Sequence, residues 1–100
     1  MSRNDVTLSG VVTELEPLRY TPAGIPLLTF RLTHQSRQVE ASQERSVSLD
    51  LPVMVLGDLA REMAGLTPES NVAVRGFLAR RSLKSLSVVL HATAYKLEME

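Results

Sequence analysis

A chain of 100 residues with 44% apolar and 22% charged residues has the composition of one folded domain rather than of a disordered tail. It contains no cysteine, which excludes disulfides, thiolate nucleophiles and cysteine-based zinc sites, and no apolar run approaches the roughly 18 residues of a membrane span. The net charge of zero argues against binding a polyanion by overall electrostatic attraction alone. The length predicts a single domain over residues 1–100, and the absence of a signal segment predicts a cytoplasmic protein.

The first predicted strand covers residues 6–14, where apolar side chains alternate with polar ones. Gly10 lies in its middle and has no side chain to pack, so we expect a bulge or a sharp bend where a small barrel turns its corner. A turn follows, because Pro22 fixes one backbone dihedral angle and Gly24 can adopt a positive φ. Tyr20 is expected to lie in this loop.

The second predicted strand covers residues 27–35 and directs Phe30 into the core, with Arg31 on the opposite, polar face. A polar loop over residues 36–44 is expected to follow. The third predicted strand covers residues 45–56, and its alternate residues from Val47 to Val55 are apolar. The pattern is that of an antiparallel strand with one face in the core.

Pro52 interrupts the third strand and lacks a backbone donor, so we expect it at a gap in the ladder or at an edge. Residues 58–65 then combine Asp58 as a candidate N-cap, good helix formers and a terminating Gly65. They predict one short helix that could plug one end of a barrel.

The last two predicted strands flank a polar turn that carries Arg80, Arg81 and Lys84, in a stretch without any acidic residue between Glu69 and Glu98. The inward-facing residues of the final strand are expected to be Val88, Leu90, Ala92 and Ala94. A local positive field on a β scaffold suggests a polyanionic partner, and nucleic acid is the commonest one.

Five strands with one short helix between the third and the fourth predict an all-β fold, the five-stranded Greek-key barrel called the OB-fold. An SH3-like barrel is the alternative, which the position of the helix disfavours. OB-folds bind ligands on the second and third strands and on the first and last hairpin loops. Tyr20 and the turn with Arg80, Arg81 and Lys84 occupy those two loops.

The candidate phosphate contacts are the cations of the last turn, since no acid nearby in sequence pairs them; the alternative is a merely solvated turn. Arg31 and Arg45 are further candidates on the ligand-bearing strands. Tyr20 either stacks on a base or packs over the mouth of the barrel. Phe77 is out of phase with its apolar neighbours, so it is expected to face outward, to stack on a base or to fill a subunit contact.

Catalysis has no support in the sequence. There is no G-x-S-x-G elbow and no P-loop, and two histidines are too few for a metal site. If the protein were an enzyme, Asp50 and His34 would be its acid and base candidates. We expect no enzyme activity, no cofactor, no metal and no small-molecule substrate.

Five motifs, taken in order, resemble the bacterial primosomal replication protein N family (the PriB family), which is related to the bacterial single-stranded DNA-binding proteins. The motifs are DVTLSGVV at 5–12, TPAGIP at 21–26, LPVMVLG at 51–57, VRGF at 74–77 and VLHA at 89–92. The sequence stops directly after the last strand, without the long linker and acidic tip of the single-stranded DNA-binding proteins, which favours the primosomal family.

The resemblance implies a non-catalytic OB-fold homodimer that binds single-stranded DNA and assists the primosomal helicase in restarting replication forks. In the family pattern an exposed tryptophan stacks on bases from the third strand, and Ser48 stands at that position here. Arg45 matches the family's basic residue. The last hairpin loop is shorter than in the family and mostly carries arginine. The alternative function is a protein-interaction module with little DNA affinity of its own.

Overall fold

The computed structural model describes residues 2–98, so Met1, Met99 and Glu100 lie outside the described residues. The described part contains six strands and one helix. These are β1 Val6–Thr13, β2 Arg19–Tyr20, β3 Pro26–Glu40, β4 Gln43–Leu56, α1 Asp58–Met63, β5 Asn71–Arg80 and β6 Val88–Leu97. β2 has only two residues, and the other five strands are the five that the sequence predicts. The one helix of residues 2–98 is too short to cross a membrane.

The five long strands close into a barrel. The strand order is β1-β5-β6-β4-β3-β2, and a further pairing of β1 with β3 joins the two sides. All pairs are antiparallel except β4 with β6, which run parallel at Val53 with Leu90 and at Met54 with His91. This closure, with α1 between β4 and β5, confirms the predicted OB-fold over the SH3-like alternative. Pro52 immediately precedes the residues that pair with β6, at the expected gap in the ladder.

The core is built by alternate residues of the barrel strands and by one face of α1. Phe30 is 3% exposed, as its phase in β3 predicts, and Ala60 and Met63 of α1 are fully buried in the same cluster. The helix therefore plugs one end of the barrel, where burying Met63 contributes roughly 1.5 to 3 kcal/mol. The other buried apolar residues are Val12, Leu28, Leu32, Val53, Val55, Val72, Val74, Val89, Leu90 and Ala92.

The start of α1 differs from the prediction. Gly57, with φ of 85°, is the N-cap, whereas Asp58 is the first helical residue and pairs with Arg61 at 3.3 Å. A glycine adopts this positive φ without the penalty that a side chain imposes. Farther along the helix, Glu62 lies beside Tyr95 of β6. Burial, with this carboxylate, raises the pKa of the Tyr95 phenol above its ordinary value, so the phenol is neutral at physiological pH.

The predicted polar loop over residues 36–44 is wrong. β3 and β4 stay paired out to Glu40 with Gln43, and a two-residue turn of Ala41 and Ser42 joins them. Both turn residues have positive φ, 51° and 63°, as a tight hairpin with the twist of its strands requires. The usual Asn-Gly or Asp-Gly signal is absent here, so this turn has no sequence signature. We call the projecting hairpin, residues 34–49, the arm.

The inward face of β6 is only partly as predicted. Leu90 and Ala92 are buried, but Val88 and Ala94 are exposed. A register shift between Arg75 and Gly76 of β5 breaks the alternation, because Gly76 pairs with Ala92 and Arg75 pairs with Ala94. The bulge flips the strand, so Tyr95 packs against the core instead of Ala94.

Gly10 is not a bulge, since β1 pairs with β5 through it without a register shift. The glycine serves a close approach to β3, because a Cβ there would lie 2.5 Å from the Thr33 carbonyl oxygen. β1 changes partner at this point, and Val11 pairs with both Thr33 and Asn71. The expected corner of the barrel is therefore present, and it is formed by the close approach of Gly10 to β3 rather than by a β-bulge.

Candidate nucleic-acid interface

The outer surface of β3 and β4 is the face on which OB-folds bind ligands. Three cross-strand pairs define it here and place its side chains in rows. They are Arg31 with Pro52, Thr33 with Asp50, and Gln35 with Ser48. We call this surface the β3–β4 face. Ser48 is exposed on it, as the resemblance implies for a base-contacting position, but it offers no ring.

The β3–β4 face is close to electrically neutral. The Arg31 Nε atom lies 3.0 Å from a carboxylate oxygen of Glu14. The Thr33 hydroxyl donates to Asp50 at 2.6 Å, so this acid remains on the surface as well. A shallow groove beside them is lined by Glu14, Glu16, Arg31 and Arg81 among others, two carboxylates against two guanidinium groups. The face therefore has little excess positive charge with which to attract phosphates.

Arg45 lies on the other side of the arm from Ser48, because the two are three residues apart on an alternating strand. Its guanidinium is 2.7 Å from the Glu40 carboxylate. Arg37, on the same side as Ser48, pairs in the same way with Glu44 at 3.0 Å. The arm thus carries one arginine–glutamate pair on each side, and the structure does not bring Arg45 together with Ser48.

Residues 80–87, the basic loop, carry three cations and no acidic residue. Arg80, Arg81 and Lys84 are all exposed, and none of them makes an ion pair within residues 2–98. The loop is folded back on itself, since the Arg81 amide donates to the Ser87 carbonyl at 3.0 Å. Five other arginines are paired with acids: Arg31, Arg37, Arg45, Arg61 and Arg75.

Tyr20 is remote from the basic loop across the sheet. It lies in β2, opposite Pro26 of β3, and its side chain is 55% exposed. β2 ends the strand order, so β3 and β4 separate it from the β5–β6 hairpin. The expected loop position is corrected to a short edge strand, and Tyr20 is not brought together with the cations of the basic loop.

Two features of this region were missed from the sequence. Leu83 and Leu86 are 88% and 89% exposed in the basic loop, which places apolar side chains among the cations. Phe77 faces outward as predicted, and its ring stacks on that of His91, with centroids 5.0 Å apart and planes 1° from parallel. The leucines stand in a serine-rich turn, which could have indicated exposure, whereas the stacked pair depends on the register of β5 and β6.

The candidate acid and base do not form a catalytic pair. His34 bonds through Nδ1 to the Ser9 carbonyl at 2.6 Å and through Nε2 to the Ser36 hydroxyl at 2.8 Å. Asp50 is on the opposite side of the sheet, because its partner Thr33 alternates with His34 along β3. No group of three or more potential metal ligands occurs in the part of the chain from residue 2 to 98.

Comparisons with known proteins agree with this geometry. A family model described as "another single-strand binding protein family" matches residues 4–94. The replication restart protein PriB of Nitrosomonas europaea is 35% identical over 91 residues, which cover 91% of this chain and 84% of that protein. The PriB protein of Bordetella pertussis is 41% identical over 88 residues, or 88% of this chain and 82% of that protein.

Solved structures show the same similarity. PriB from Ralstonia solanacearum superposes with a TM-score of 0.89 at 26% identity, covering 98% of this chain and 100% of that one. The single-stranded DNA binding protein from Thermus aquaticus gives a TM-score of 0.79 at 29% identity, covering 97% of this chain and 50% of that one. The resemblance that the five motifs indicate is thereby confirmed.

Proposed function

Because this chain belongs to the PriB family of replication restart proteins, we propose that it binds single-stranded DNA during replication restart in the bacterial cytoplasm. The relatives named above are replication-restart or DNA-binding proteins, and we assign no catalytic step to this chain. The observation that carries the proposal is the basic loop, where Arg80, Arg81 and Lys84 are exposed and have no acidic partner among the described residues.

Unpaired cations suit the sequence-independent part of single-strand binding. Each phosphate that a lysine or arginine neutralises releases counterions, which favours binding at low salt. A paired arginine such as Arg31 or Arg45 must first leave its carboxylate, so it contributes less. We therefore assign phosphate contact mainly to the basic loop, and only secondary roles to Arg31, Arg45, Ser48 and Tyr20. Fluorescence anisotropy of a labelled oligonucleotide, over a range of salt concentrations, tests the proposal.

We further propose that the protein stimulates the primosomal helicase, and that Leu83 and Leu86 take part in that contact. Two leucines almost fully exposed on one short loop are a cluster of apolar side chains of the kind that marks a protein contact. They also support the second candidate function, a protein-interaction module with little DNA affinity. The two functions are separable by variants of the same loop.

The double variant Leu83→Ser, Leu86→Ser is expected to weaken helicase binding by about 10-fold or more, since buried apolar anchors dominate protein interfaces. Its DNA affinity should stay unchanged, because no cation is lost. Helicase unwinding of a forked substrate, with and without the protein, measures the effect. Leu56→Ser, at a leucine 46% exposed outside the loop, is the matched control. Equal stimulation by all three proteins would exclude the leucines from the contact.

A homodimer is the third part of the proposal. Within residues 2–98, β3 pairs with β1 only at residues 11–13, which leaves one edge of residues 6–10 without a strand. An open strand edge favours pairing with a second copy, because its backbone donors and acceptors then gain partners. A dimer would carry two basic loops, so one DNA strand could engage both.

Light scattering at micromolar concentration is expected to report about twice the chain mass of 11.0 kDa. The physical reason is the open β1 edge, which a symmetric partner satisfies with backbone hydrogen bonds. Thr7→Pro removes a backbone donor from that edge, because Thr7 alternates in phase with Ser9, whose carbonyl faces β3. The variant would reduce the measured mass if β1 forms the interface, provided that circular dichroism shows a folded chain. A mass near that of a single chain for the unaltered protein would contradict the dimer.

A further inference from the structure

We infer that the stacked rings of Phe77 and His91 form a base-stacking platform for single-stranded DNA on the outer surface of β5 and β6. The inference rests on the proposed function and assigns a path for the DNA strand across the protein surface. The rings belong to paired residues of neighbouring strands, lie 5.0 Å apart and are parallel to within 1°. The Phe77 side chain is 42% exposed, so a ring surface is available to solvent.

The platform is continuous with the basic loop. Phe77 lies on β5 and Arg81 directly follows the end of that strand, four positions along the chain, and both residues are exposed. At about 3.3 Å per residue their backbone positions are about 13 Å apart, a span that a short extended oligonucleotide covers. A strand whose phosphates contact Arg80 and Arg81 therefore has Phe77 within reach of a neighbouring base.

The β3–β4 face is less suited to a DNA strand, because its Arg31 is paired with Glu14. Ser48 supplies no ring, and Asp50 and Glu14 place carboxylates where phosphates would pass. Binding of single strands without sequence preference uses a positive track together with aromatic side chains. Among the exposed aromatic side chains of residues 2–98, Tyr20 lies on the edge strand β2, whereas Phe77 lies on β5, the strand that leads into the basic loop.

The first experiment uses the absence of tryptophan from this chain. Phe77→Trp and Ser48→Trp each introduce one indole, on β5 and on the β3–β4 face respectively. Each variant is titrated with an oligothymidine, and indole quenching is recorded beside the anisotropy of a labelled copy of the same oligonucleotide. We expect strong quenching in Phe77→Trp and little in Ser48→Trp. Quenching confined to Ser48→Trp would place the bases on the β3–β4 face and overturn the platform.

The second experiment removes the ring. Phe77→Ala should weaken oligothymidine binding by about 5- to 150-fold, the range for one lost stacking contact. The slope of log affinity against log salt should not change, because no phosphate contact is lost. Phe77→Tyr keeps a ring and should retain the affinity, which separates stacking from folding. Leu97→Ala, at an exposed leucine on β6, is the matched control.

The outcomes separate this inference from the proposed function. If the unaltered protein binds DNA by anisotropy while Phe77→Ala binds equally well, the platform is overturned and DNA binding stands. If Phe77→Ala has the smaller affinity and a changed salt slope, the loss is electrostatic and the platform is again overturned. If the unaltered protein shows no anisotropy change at all, the proposed DNA binding fails and this route fails with it.

Discussion

Replacing Arg80, Arg81 and Lys84 together by alanine is expected to weaken single-stranded DNA binding by about 100-fold at 0.1 M salt. Each phosphate contact contributes about 0.7 to the slope of log affinity against log salt, so three lost contacts flatten the slope by about 2. If the unaltered protein and the triple variant bind DNA equally at 1 M salt, their affinities differ by about 100-fold when the salt is lowered tenfold to 0.1 M. Anisotropy titrations between these concentrations measure both quantities.

The matched control is the triple alanine variant of Arg37, Arg45 and Arg61, which removes the same three charges from arginines already bonded to carboxylates. It should change affinity and slope far less, because those cations contribute little to an exposed surface field. An equal loss in both variants would show that net charge, rather than the basic loop, drives binding. A slope unchanged by the basic-loop variant would contradict the assignment directly.

Much of the fold was predictable because successive side chains of a barrel strand point alternately into the core and into solvent, so apolar and polar residues alternate in the sequence. Phe30 falls in the apolar phase of β3 and is buried, whereas Phe77 falls out of phase in β5 and is exposed. The short helix was also predictable, since Gly65 marks its end and good helix formers precede it. These signals are local in sequence, so they can be interpreted without knowing which strands pair.

The candidate site was less predictable, because its electrostatics depend on contacts distant in sequence. Arg31 is bonded to Glu14, which is 17 positions away and beyond a loop. Arg45 is bonded to Glu40 only because the arm continues as paired strands through a turn that has no sequence signal. The cations of the basic loop were identified correctly as unpaired with respect to residues 2–98, since no acidic residue lies near them in sequence.

The stacked pair of Phe77 and His91 shows the same limit. Its existence depends on the pairing register of β5 with β6, which is set by the residues at which the hairpin turn begins and ends, and the polar stretch after Arg80 does not specify them. Sequence reasoning could place Phe77 on the outer surface, but not His91 beside it. Cross-strand geometry, rather than composition, creates the aromatic surface.

Gly76→Ala is expected to lower the free energy of unfolding by about 3 kcal/mol or more, at the upper end of the effects of overpacking. A Cβ at this position would lie 1.8 Å from the His91 carbonyl oxygen, and 2.8 Å from its carbonyl carbon. Both are backbone atoms of β6, so no side-chain rotation can relieve the overlap. The two strands must move apart at the bulge, next to the stacked rings of Phe77 and His91.

Urea unfolding followed by circular dichroism measures this loss, which corresponds to a decrease in Tm of about 12 to 24 °C for a domain of this size. Gly65→Ala is the control, because its nearest neighbour, the Glu62 carbonyl oxygen, would be 3.6 Å from the new Cβ, an ordinary contact. In Gly76→Ala, separation of β5 from β6 should also weaken DNA binding through the platform, even at temperatures where the chain stays folded. Equal stability of the two alanine variants would show that β6 can move away from residue 76 at no cost in the free energy of unfolding. The close contact between Gly76 and the backbone of β6 would then not be needed for the stacking of Phe77 on His91.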